Sequence, residues 1–179
     1  MKFGGHEWQT LETQDSRVLI LSQCVLEKMP YHDSGGTTWE NCDLRRYLNN
    51  EFYNSFAEKD RERILDTRNS NSSNPWYGTN SGNETIDKIF LLSLEEVVKY
   101  FGDSGQLNNR LPNGKSYIED QYNSAREASD RKGISSHWWL RSPGHSSDYA
   151  AYISDGGLVY VIGNLGSNGG LRPALWLNL

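Results

Sequence analysis

Strand and helix patterns do not alternate along this chain, and their order is the strongest constraint on its fold. The segment Arg17 to Ser22 (R-V-L-I-L-S) is typical of a buried strand, and the polar segment before it fits the first strand of a hairpin. Two helical patterns follow, then a strand predicted over Asp87 to Leu92, a short helix, and several strands. Because doubly wound α/β folds need regular alternation, this order predicts an α+β domain.

Helical spacing is clearest in the segment T-T-W-E-N-C-D-L-R-R-Y-L-N-N-E-F-Y-N-S-F. Thr37 or Thr38 is a candidate N-cap, with Glu40 in the first turn. A second short helix is predicted over Glu58 to Leu65. In the first helix, apolar and aromatic side chains recur near helical spacing at Leu44, Tyr47, Leu48, Phe52 and Phe56.

A third helix is predicted directly after the Asp87 to Leu92 strand. Its start is marked by Ser93 and Glu96, which match a capping box. Further on, the polar stretch from Ile118 to Arg131 is predicted to be partly helical, with Tyr122 and Ala125 facing inward.

The last third of the chain is predicted to be mostly β-structure. Trp138 to Leu140 begins an extended element, and Y-I-S-D-G-G-L-V-Y-V-I-G predicts a hairpin with its turn at Asp155-Gly156-Gly157. The final L-R-P-A-L-W-L is predicted to be a closing strand. Asn, Ser, Gly and Pro content predicts a loop over 69–83, and a second loop is predicted over 106–117.

Composition favours one compact domain over the whole length, 1–179. The apolar fraction is low at 36%, but aromatic residues make up 12% and are spread along the chain, which argues against disorder. The net charge of −5 comes without any basic run, so nucleic acid is not an expected partner. No membrane-spanning run or signal-peptide pattern is present, so we expect no membrane insertion and a cytoplasmic or phage-associated protein.

Catalytic and metal-binding motifs are weak in this sequence. Cys24 and Cys42 are interpreted as free, mostly buried thiols rather than nucleophiles, and the four histidines lack metal-ligand spacing. We therefore expect no enzymatic activity and no cofactor. A structural calcium ion is considered, with oxygens from Asp148, Asp155 and Asn164 or from the Asn-rich loop at 69–83.

One segment near the end has a restricted composition. Residues 142–170 (S-P-G-H-S-S-D-Y-A-A-Y-I-S-D-G-G-L-V-Y-V-I-G-N-L-G-S-N-G-G) contain no Lys, Glu, Gln, Met or Trp. Bulky motifs flank the segment on both sides, H-W-W-L-R before it and L-R-P-A-L-W-L after it. A Gly- and Ser-rich β segment is naturally poor in Lys, Glu and Gln, so an ordinary β-rich end is one explanation.

Four ordered motifs resemble a bacterial and phage domain family of unknown function: T-W-E-N-C-D-L-R-R-Y-L-N, D-K-I-F-L-L-S-L-E-E-V, W-W-L-R-S-P-G and L-R-P-A-L-W-L. The last motif also resembles the closing strand of C-type-lectin-like domains of the formylglycine-generating-enzyme type. This resemblance implies a single lectin-like domain with two helices, small twisted antiparallel sheets and long loops. Oxidases of that fold use a Cys pair near the C-terminus, and this chain has no Cys beyond Cys42.

Some relatives in that wider fold are variable proteins of diversity-generating retroelements. In those systems adenine-directed mutagenesis turns AAY codons into NNY codons, which cannot encode Lys, Glu, Gln, Met or Trp. The resemblance thus offers a second explanation of the segment 142–170, as a variable ligand-binding face for a protein or surface glycan. Its predicted binding residues are His145, Ser147, Asp148, Tyr149, Tyr152, Asp155, Leu158, Tyr160, Ile162, Asn164, Leu165 and Asn168.

Two other functions stay open at this stage. A lectin-fold enzyme would show a pocket with convergent carboxylates, and a non-variable structural module of a phage or bacterium would show a plain polar face. Trp138 and Trp139 should point to opposite sides of a strand, one into the core and the other supporting the loop face. Arg141 and Arg172 are interpreted as anchors for loops, through backbone carbonyls or a carboxylate such as Glu40, with an anion-binding pair as the alternative.

Overall fold

The computed structural model describes residues 1–108 and 117–179. Its strands are β1 (Lys2–Phe3), β2 (His6–Gln14), β3 (Arg17–Ser22), β4 (Glu27–Met29), β5 (Thr67–Asn69), β6 (Thr85–Asp87), β7 (Tyr117–Ile118), β8 (Trp138–Pro143), β9 (Tyr149–Ile153), β10 (Val159–Asn164), β11 (Gly169–Leu171) and β12 (Ala174–Asn178). Its α-helices are α1 (Asp43–Tyr47), α2 (Glu58–Arg61), α3 (Leu94–Phe101) and α4 (Asn123–Arg126). Helices and strands do not alternate, so the predicted α+β class is confirmed.

The first sheet has the order β1-β2-β3-β12 and joins the two ends of the chain. The predicted hairpin of β2 and β3 is confirmed, and β3 has the predicted bounds because its apolar run is buried from Val18 to Ser22. The predicted closing strand is confirmed as β12, which pairs with β3 from Ala174–Leu21 to Asn178–Arg17.

The second sheet has the order β4-β11-β8-β9-β10-β7 and contains the segment 142–170. The predicted late hairpin is confirmed: β9 and β10 are antiparallel, with Tyr152 opposite Tyr160. The predicted antiparallel sheets are confirmed, and within them β11 runs parallel to β8 at Gly170 and Trp138. A third sheet contains only β5 and β6 and borders the predicted loop over 69–83.

The first helix begins later than predicted. Thr38 precedes a 3-10 turn over Trp39–Asn41, and its side chain makes no capping hydrogen bond. The α-helical backbone starts at Asp43, where the Sγ atom of Cys42 accepts from the Arg45 N–H at 3.3 Å. A π-helical turn over Leu48–Phe52 then continues the helix. The second predicted helix is shorter than expected, since α2 ends at Arg61.

The strand predicted over Asp87 to Leu92 was wrong for most of its length. Regular pairing ends at Asp87, because the Oδ1 atom of Asn49 accepts from the next two N–H groups, those of Lys88 and Ile89, at 2.7 and 3.2 Å. The segment rejoins a strand only at Phe90, which bridges Ala174. The apolar run is still fully buried, so its hydrophobicity reflects the core and not a strand.

The capping box at the start of α3 is confirmed, with reciprocal hydrogen bonds between Ser93 and Glu96. A short helix is also confirmed within the stretch 118–131, as α4. Ala125 was predicted to face inward but is exposed, and Arg126 is the buried residue of α4. The loop predicted over 106–117 falls mainly on 109–116, which lie outside the described residues.

One hydrophobic core is shared by the two larger sheets and the helices. It contains the tryptophans at 8, 39, 138, 139 and 176 together with the apolar residues of β3, α3 and the segment 89–92. Over the described ranges, no helix has the length and apolar character needed to cross a membrane.

Candidate functional site

The β9–β10 hairpin and the loops beside it carry the predicted binding residues to the surface. Eleven of the twelve predicted residues are exposed or partly exposed. Six are exposed (Ser147, Asp148, Asp155, Ile162, Asn164 and Asn168), and five are partly exposed (His145, Tyr149, Tyr152, Leu158 and Tyr160). We call this set of eleven the display face.

Leu165 does not belong to the display face. Its side chain is 4% exposed and packs in the core, so its prediction as a binding residue was wrong. The turn that follows β10 brings the Leu165 carbonyl within reach of the Tyr31 and His32 N–H groups, which donate to it at 2.8 and 3.1 Å. Leu165 therefore attaches this loop to the core, through its buried side chain and through its carbonyl.

A row of aromatic rings crosses the second sheet on the side of the display face. Trp139, Tyr152, Tyr160 and Tyr117 occupy opposite positions on four neighbouring strands. The rings of Tyr152 and Tyr160 are stacked at 5.5 Å, and those of Tyr160 and Tyr117 lie 5.4 Å apart. Burial, and secondarily the nearby Tyr160 and Asp155, raise the pKa of the Tyr152 hydroxyl, so that hydroxyl stays protonated at neutral pH.

An open cleft of about 420 Å³ lies beside this aromatic row. Among the described residues that line it, Asp155 supplies the one carboxylate and His137 the one imidazole, and none is Lys or Arg. The cleft therefore offers hydrogen-bonding groups and aromatic surface but no cation to attract an anionic ligand. Its lining consists of His137, Trp139, Tyr152, Ser154, Asp155, Ile162, Gly163, Asn164 and Ser167.

Trp139 forms the floor of the cleft, and two glycines make room for its ring. A Cβ atom added at Gly163 would lie 2.4 Å from the indole, and one added at Gly169 would lie 2.3 Å from it. The indole N–H donates to the Met29 carbonyl at 3.1 Å. Trp138 points to the opposite side, where its ring packs against Phe101, so the predicted division of roles between the two tryptophans is confirmed.

The tip of the β9–β10 hairpin is held from beneath by Arg126. Its Nε atom donates to the Gly157 carbonyl at 2.8 Å, and its Nη2 atom pairs with Asp120 at 2.6 Å. Gly157 has φ of +77°, and a Cβ atom there would lie 1.9 Å from the Asn123 carbonyl oxygen. Burial raises the pKa of Asp120, but hydrogen bonds from Arg126, Ser104 and a backbone N–H outweigh it and keep that pKa below its ordinary value.

A second exposed cluster lies at the other end of the hairpin. The rings of His145 and Tyr149 are 4.3 Å apart, and Tyr77 from the 69–83 loop packs edge-on against His145 at 5.8 Å. The loop is attached here by Asn74, whose side-chain amide donates to the Pro143 carbonyl at 2.9 Å.

The sequence motifs meet at buried polar clusters away from the display face. The carboxylate of Asp87 accepts hydrogen bonds from four side chains at 2.6–3.1 Å: Arg45, Thr85, Asn69 and Trp39. This Asp87 cluster joins the T-W-E-N-C-D-L-R-R motif to the D-K-I-F-L-L motif, and the Asp87 side chain is fully buried.

Arg141 and Arg172 both anchor backbone, as predicted. Arg141 donates to the Leu91 carbonyl at 2.8 Å and pairs with Glu96, so the carboxylate is Glu96 and not Glu40. Arg172 donates to the Ser22 carbonyl at 3.0 Å. Each arginine has its own local partners, so the two do not form an anion-binding pair.

Neither cysteine lines the aromatic cleft. Both are free, and Cys42 is buried, where loss of hydration raises the pKa of its thiol to about 12. Its Sγ atom accepts the hydrogen bond from the Arg45 N–H group that caps α1. Cys24 is half-buried and lies in another cleft, away from the aromatic row.

The calcium ligands predicted for the display face do not converge. Asp148 precedes β9 and Asp155 follows it, so about 20 Å of extended chain separates them, far beyond the reach of one ion. In the Asn-rich loop the Oδ1 atom of Asn71 accepts from Arg141, and that of Asn74 accepts from the N–H groups of Trp76 and Tyr77. In the part of the chain that the structure describes, no group of three or more His, Cys, Asp or Glu residues could bind a metal ion.

The family comparison matches nearly the whole chain. The family described as "Domain of unknown function (DUF6273)" matches residues 15–179. The chain belongs to this family. All four sequence motifs lie inside the matched region of the DUF6273 domain. No curated protein matches the chain, and no solved structure matches it.

Sequence reasoning missed several residues of the DUF6273 cleft. His137, Ser154, Gly163 and Ser167 line it but were not predicted to bind ligand. A signal was available for Ser154 and Gly163, because they lie two positions from Tyr152 and one from Ile162. For His137 none existed, since the parallel pairing of β11 with β8 brings its Nε2 atom to 3.1 Å from the Asn168 carbonyl oxygen.

Proposed function

We propose that this DUF6273 domain is a ligand-recognition module of C-type-lectin-like fold that binds a protein or a surface glycan through its display face. In this proposal it is the variable protein of a diversity-generating retroelement, in a cytoplasmic or phage-associated setting. The observation that carries the proposal is the exposure of eleven of the twelve predicted binding residues on a sheet whose backbone is fixed from below.

The chemistry of the display face suits recognition. Tyrosines supply large, rigid contact surfaces that lose little entropy on binding, and Ser and Asn supply adaptable hydrogen bonds, as in antibody binding sites. Because the described lining contains the carboxylate of Asp155 and no Lys or Arg, groups that are neutral or cationic fit there better than anions.

Tolerance to substitution is the second requirement of the proposal. The positions of the hairpin that packing restricts are not part of the display face. They are Gly157 at the turn, Gly163 against Trp139, and Ala150 and Ala151 in the core. At those positions neighbouring atoms leave room only for small side chains, so packing alone accounts for the residue types found there. Diversification would therefore concentrate on the exposed positions.

An enzymatic role has less support. A hydrolytic or acid–base site needs at least two titratable groups acting on one point, commonly two carboxylates or a nucleophile with a base. Among the described residues, the cleft brings together one carboxylate, Asp155, and one imidazole, His137, and no hydrogen bond joins the two side chains.

The neighbouring DNA tests the retroelement part of the proposal. We expect a near-copy of the codons for Trp138 to Leu179 close to the gene, differing at adenines of the copy, with a reverse-transcriptase gene beside it. The differing codons should encode display-face positions and should spare Gly157, Gly163 and Gly169. Absence of such a copy from the complete genome would end the variable-protein proposal, and a copy whose differences fall on the glycines would contradict the role given to the display face.

A further inference from the structure

Arg172 is a buried cation without a carboxylate partner in the described residues. The residue is 3% exposed. Its Nε atom donates to the Ser22 carbonyl, and its Nη2 atom donates to the Gln9 side-chain oxygen at 3.2 Å. Its buried Nη1 atom has no acceptor anywhere in residues 1–108 and 117–179. The guanidinium lies over the ring of Trp138 at 4.9 Å, which compensates part of the lost hydration.

The other two buried arginines show what Arg172 lacks. Arg126 pairs with Asp120, and Arg141 pairs with Glu96. A buried charge without a counter-charge destabilises a protein by several kcal/mol. Burial accordingly lowers the pKa of Arg172 to about 10, and the guanidinium remains charged at neutral pH.

Arg172 forms part of the wall of an open cleft of about 390 Å³ on a different part of the surface from the aromatic cleft. The lining is mostly polar, with amides and hydroxyls that can bind oxygen atoms. Among the described lining residues, only Glu127 has a carboxylate, and that residue is exposed and forms no ion pair with Arg172. The lining residues are Gln9, Gln23, Cys24, Ala125, Glu127, Ala128, Ser129, Ser135 and Arg172.

We propose that this cleft binds a small carboxylate, whose charge pairs with the Arg172 guanidinium while the amides and hydroxyls of the cleft bind its oxygens. The carboxylate belongs either to a free organic acid or to an acidic residue of a partner polypeptide. This site shares no lining residue with the display face, so the carboxylate proposal can be confirmed or rejected independently of the proposed function.

Cys24 lines the same cleft and serves as a built-in reporter. Iodoacetate and iodoacetamide alkylate thiolates by the same reaction, in which sulfur displaces iodide, but only iodoacetate carries a carboxylate. Peptide mapping of the native protein would give the two alkylation rates at Cys24. We expect the iodoacetate-to-iodoacetamide rate ratio to exceed that of glutathione under the same conditions by about 3-fold or more, because Arg172 concentrates the anionic reagent. Cys42 should remain unmodified and report that the fold is intact.

Competition and variants complete the test. Excess sodium acetate should slow both reagents at Cys24, whereas sodium chloride of equal ionic strength should act only on iodoacetate. Glu127→Gln, an exposed change, should raise the rate ratio about 2-fold by removing a repelling charge. Arg172→Gln should lower the ratio to that of glutathione. Two results in the native protein would overturn the proposal, even if Arg172→Gln fails to fold. One is an iodoacetate-to-iodoacetamide rate ratio at Cys24 equal to that of glutathione, and the other is protection of Cys24 by acetate no stronger than by chloride.

A further comparison in the same alkylation assay distinguishes a free organic acid from an acidic residue of a partner polypeptide. Acetate and the dipeptide Asp-Glu are compared at equal carboxylate concentration. Equal protection of Cys24 assigns the site to a free acid, and protection several-fold stronger with the dipeptide assigns it to an acidic segment of a partner.

Discussion

The Asp87 cluster and the display face use side chains in opposite ways. At the Asp87 cluster, four side chains donate to one buried carboxylate: Trp39 and Arg45 from the first motif, and Asn69 and Thr85 from β5 and β6. On the display face, backbone pairing and glycine packing fix the hairpin, and we predict that the outward side chains contribute little to its stability. The comparison places Trp39, Arg45 and Asp87 in the scaffold, and under the proposed function ligand binding depends on the display face.

The largest expected effect comes from removing the centre of the Asp87 cluster. Asp87→Ala leaves the Arg45 Nε–H group and the Trp39 and Asn69 side-chain N–H groups without their acceptor, so we expect a loss of about 3–5 kcal/mol in the free energy of unfolding. Asp155→Ala is the matched control on the display face and should change stability by less than about 0.5 kcal/mol. Urea unfolding followed by tryptophan fluorescence measures both. Equal losses for the two variants would erase the distinction between the regions.

Glycine packing under the display face should give the next largest effect. Gly163→Ala or Gly169→Ala places a methyl group within 2.4 Å of the Trp139 ring, and we expect a loss of about 1–3 kcal/mol. Gly156→Ala is the control, because its new Cβ would meet only Leu158, at 3.7 Å, and its backbone is outside the left-handed region. That variant should be neutral or slightly stabilising. Thermal unfolding with an unchanged midpoint for Gly163→Ala would show that Trp139 does not need this glycine.

A smaller effect is expected at the surface cluster of Glu12, Lys99 and Tyr100. Hydrogen bonds from Lys99, Tyr100 and Gln14 lower the pKa of Glu12 to about 2. Its contribution should therefore be complete above the unfolded-state pKa of 4.5 and should fall away as the pH drops toward 2. We expect Glu12→Gln to cost under about 1 kcal/mol at pH 6 and almost nothing at pH 2, as measured by unfolding at both pH values. A cost that grew on acidification would contradict the assigned sign.

The smallest effect is expected within the display face itself. Ile162 is 54% exposed, so Ile162→Ser should change the free energy of unfolding by less than about 0.5 kcal/mol. Val161→Ser, one residue away but fully buried, should cost several times more. Similar losses in the two variants would mean that Ile162 belongs to the scaffold.

Local patterns predicted the elements whose structure is set locally. The apolar run of β3, the Ser93 and Glu96 capping box and the Asp155-Gly156-Gly157 turn each follow from a few neighbouring residues, and all three are present. Segments that depend on distant partners were predicted less well. The residues after Asp87 are not a strand because the Asn49 side chain takes their N–H groups, and no local pattern reveals that contact.

The candidate site shows the same division. The restricted composition of the segment 142–170 marked it as a candidate binding segment, but it did not show which of its residues are buried in the scaffold. That required the strand register, which buries Leu165 and aligns Trp139 with Tyr152 and Tyr160. Arg126 was missed because neither its pairing with Asp120 nor its contact with Gly157 has a sequence pattern.

One measurement tests the central claim most directly. Two libraries of NNY codons would be displayed and selected for resistance to protease, one at the eleven display-face positions and one at an equal number of buried positions of the second sheet and its loops, including Gly157, Gly163, Leu165 and Gly169. We predict that a large fraction of the first library folds and that almost none of the second does. If the display-face library loses resistance as completely as the buried one, those side chains hold the fold together and cannot serve as an interchangeable binding surface.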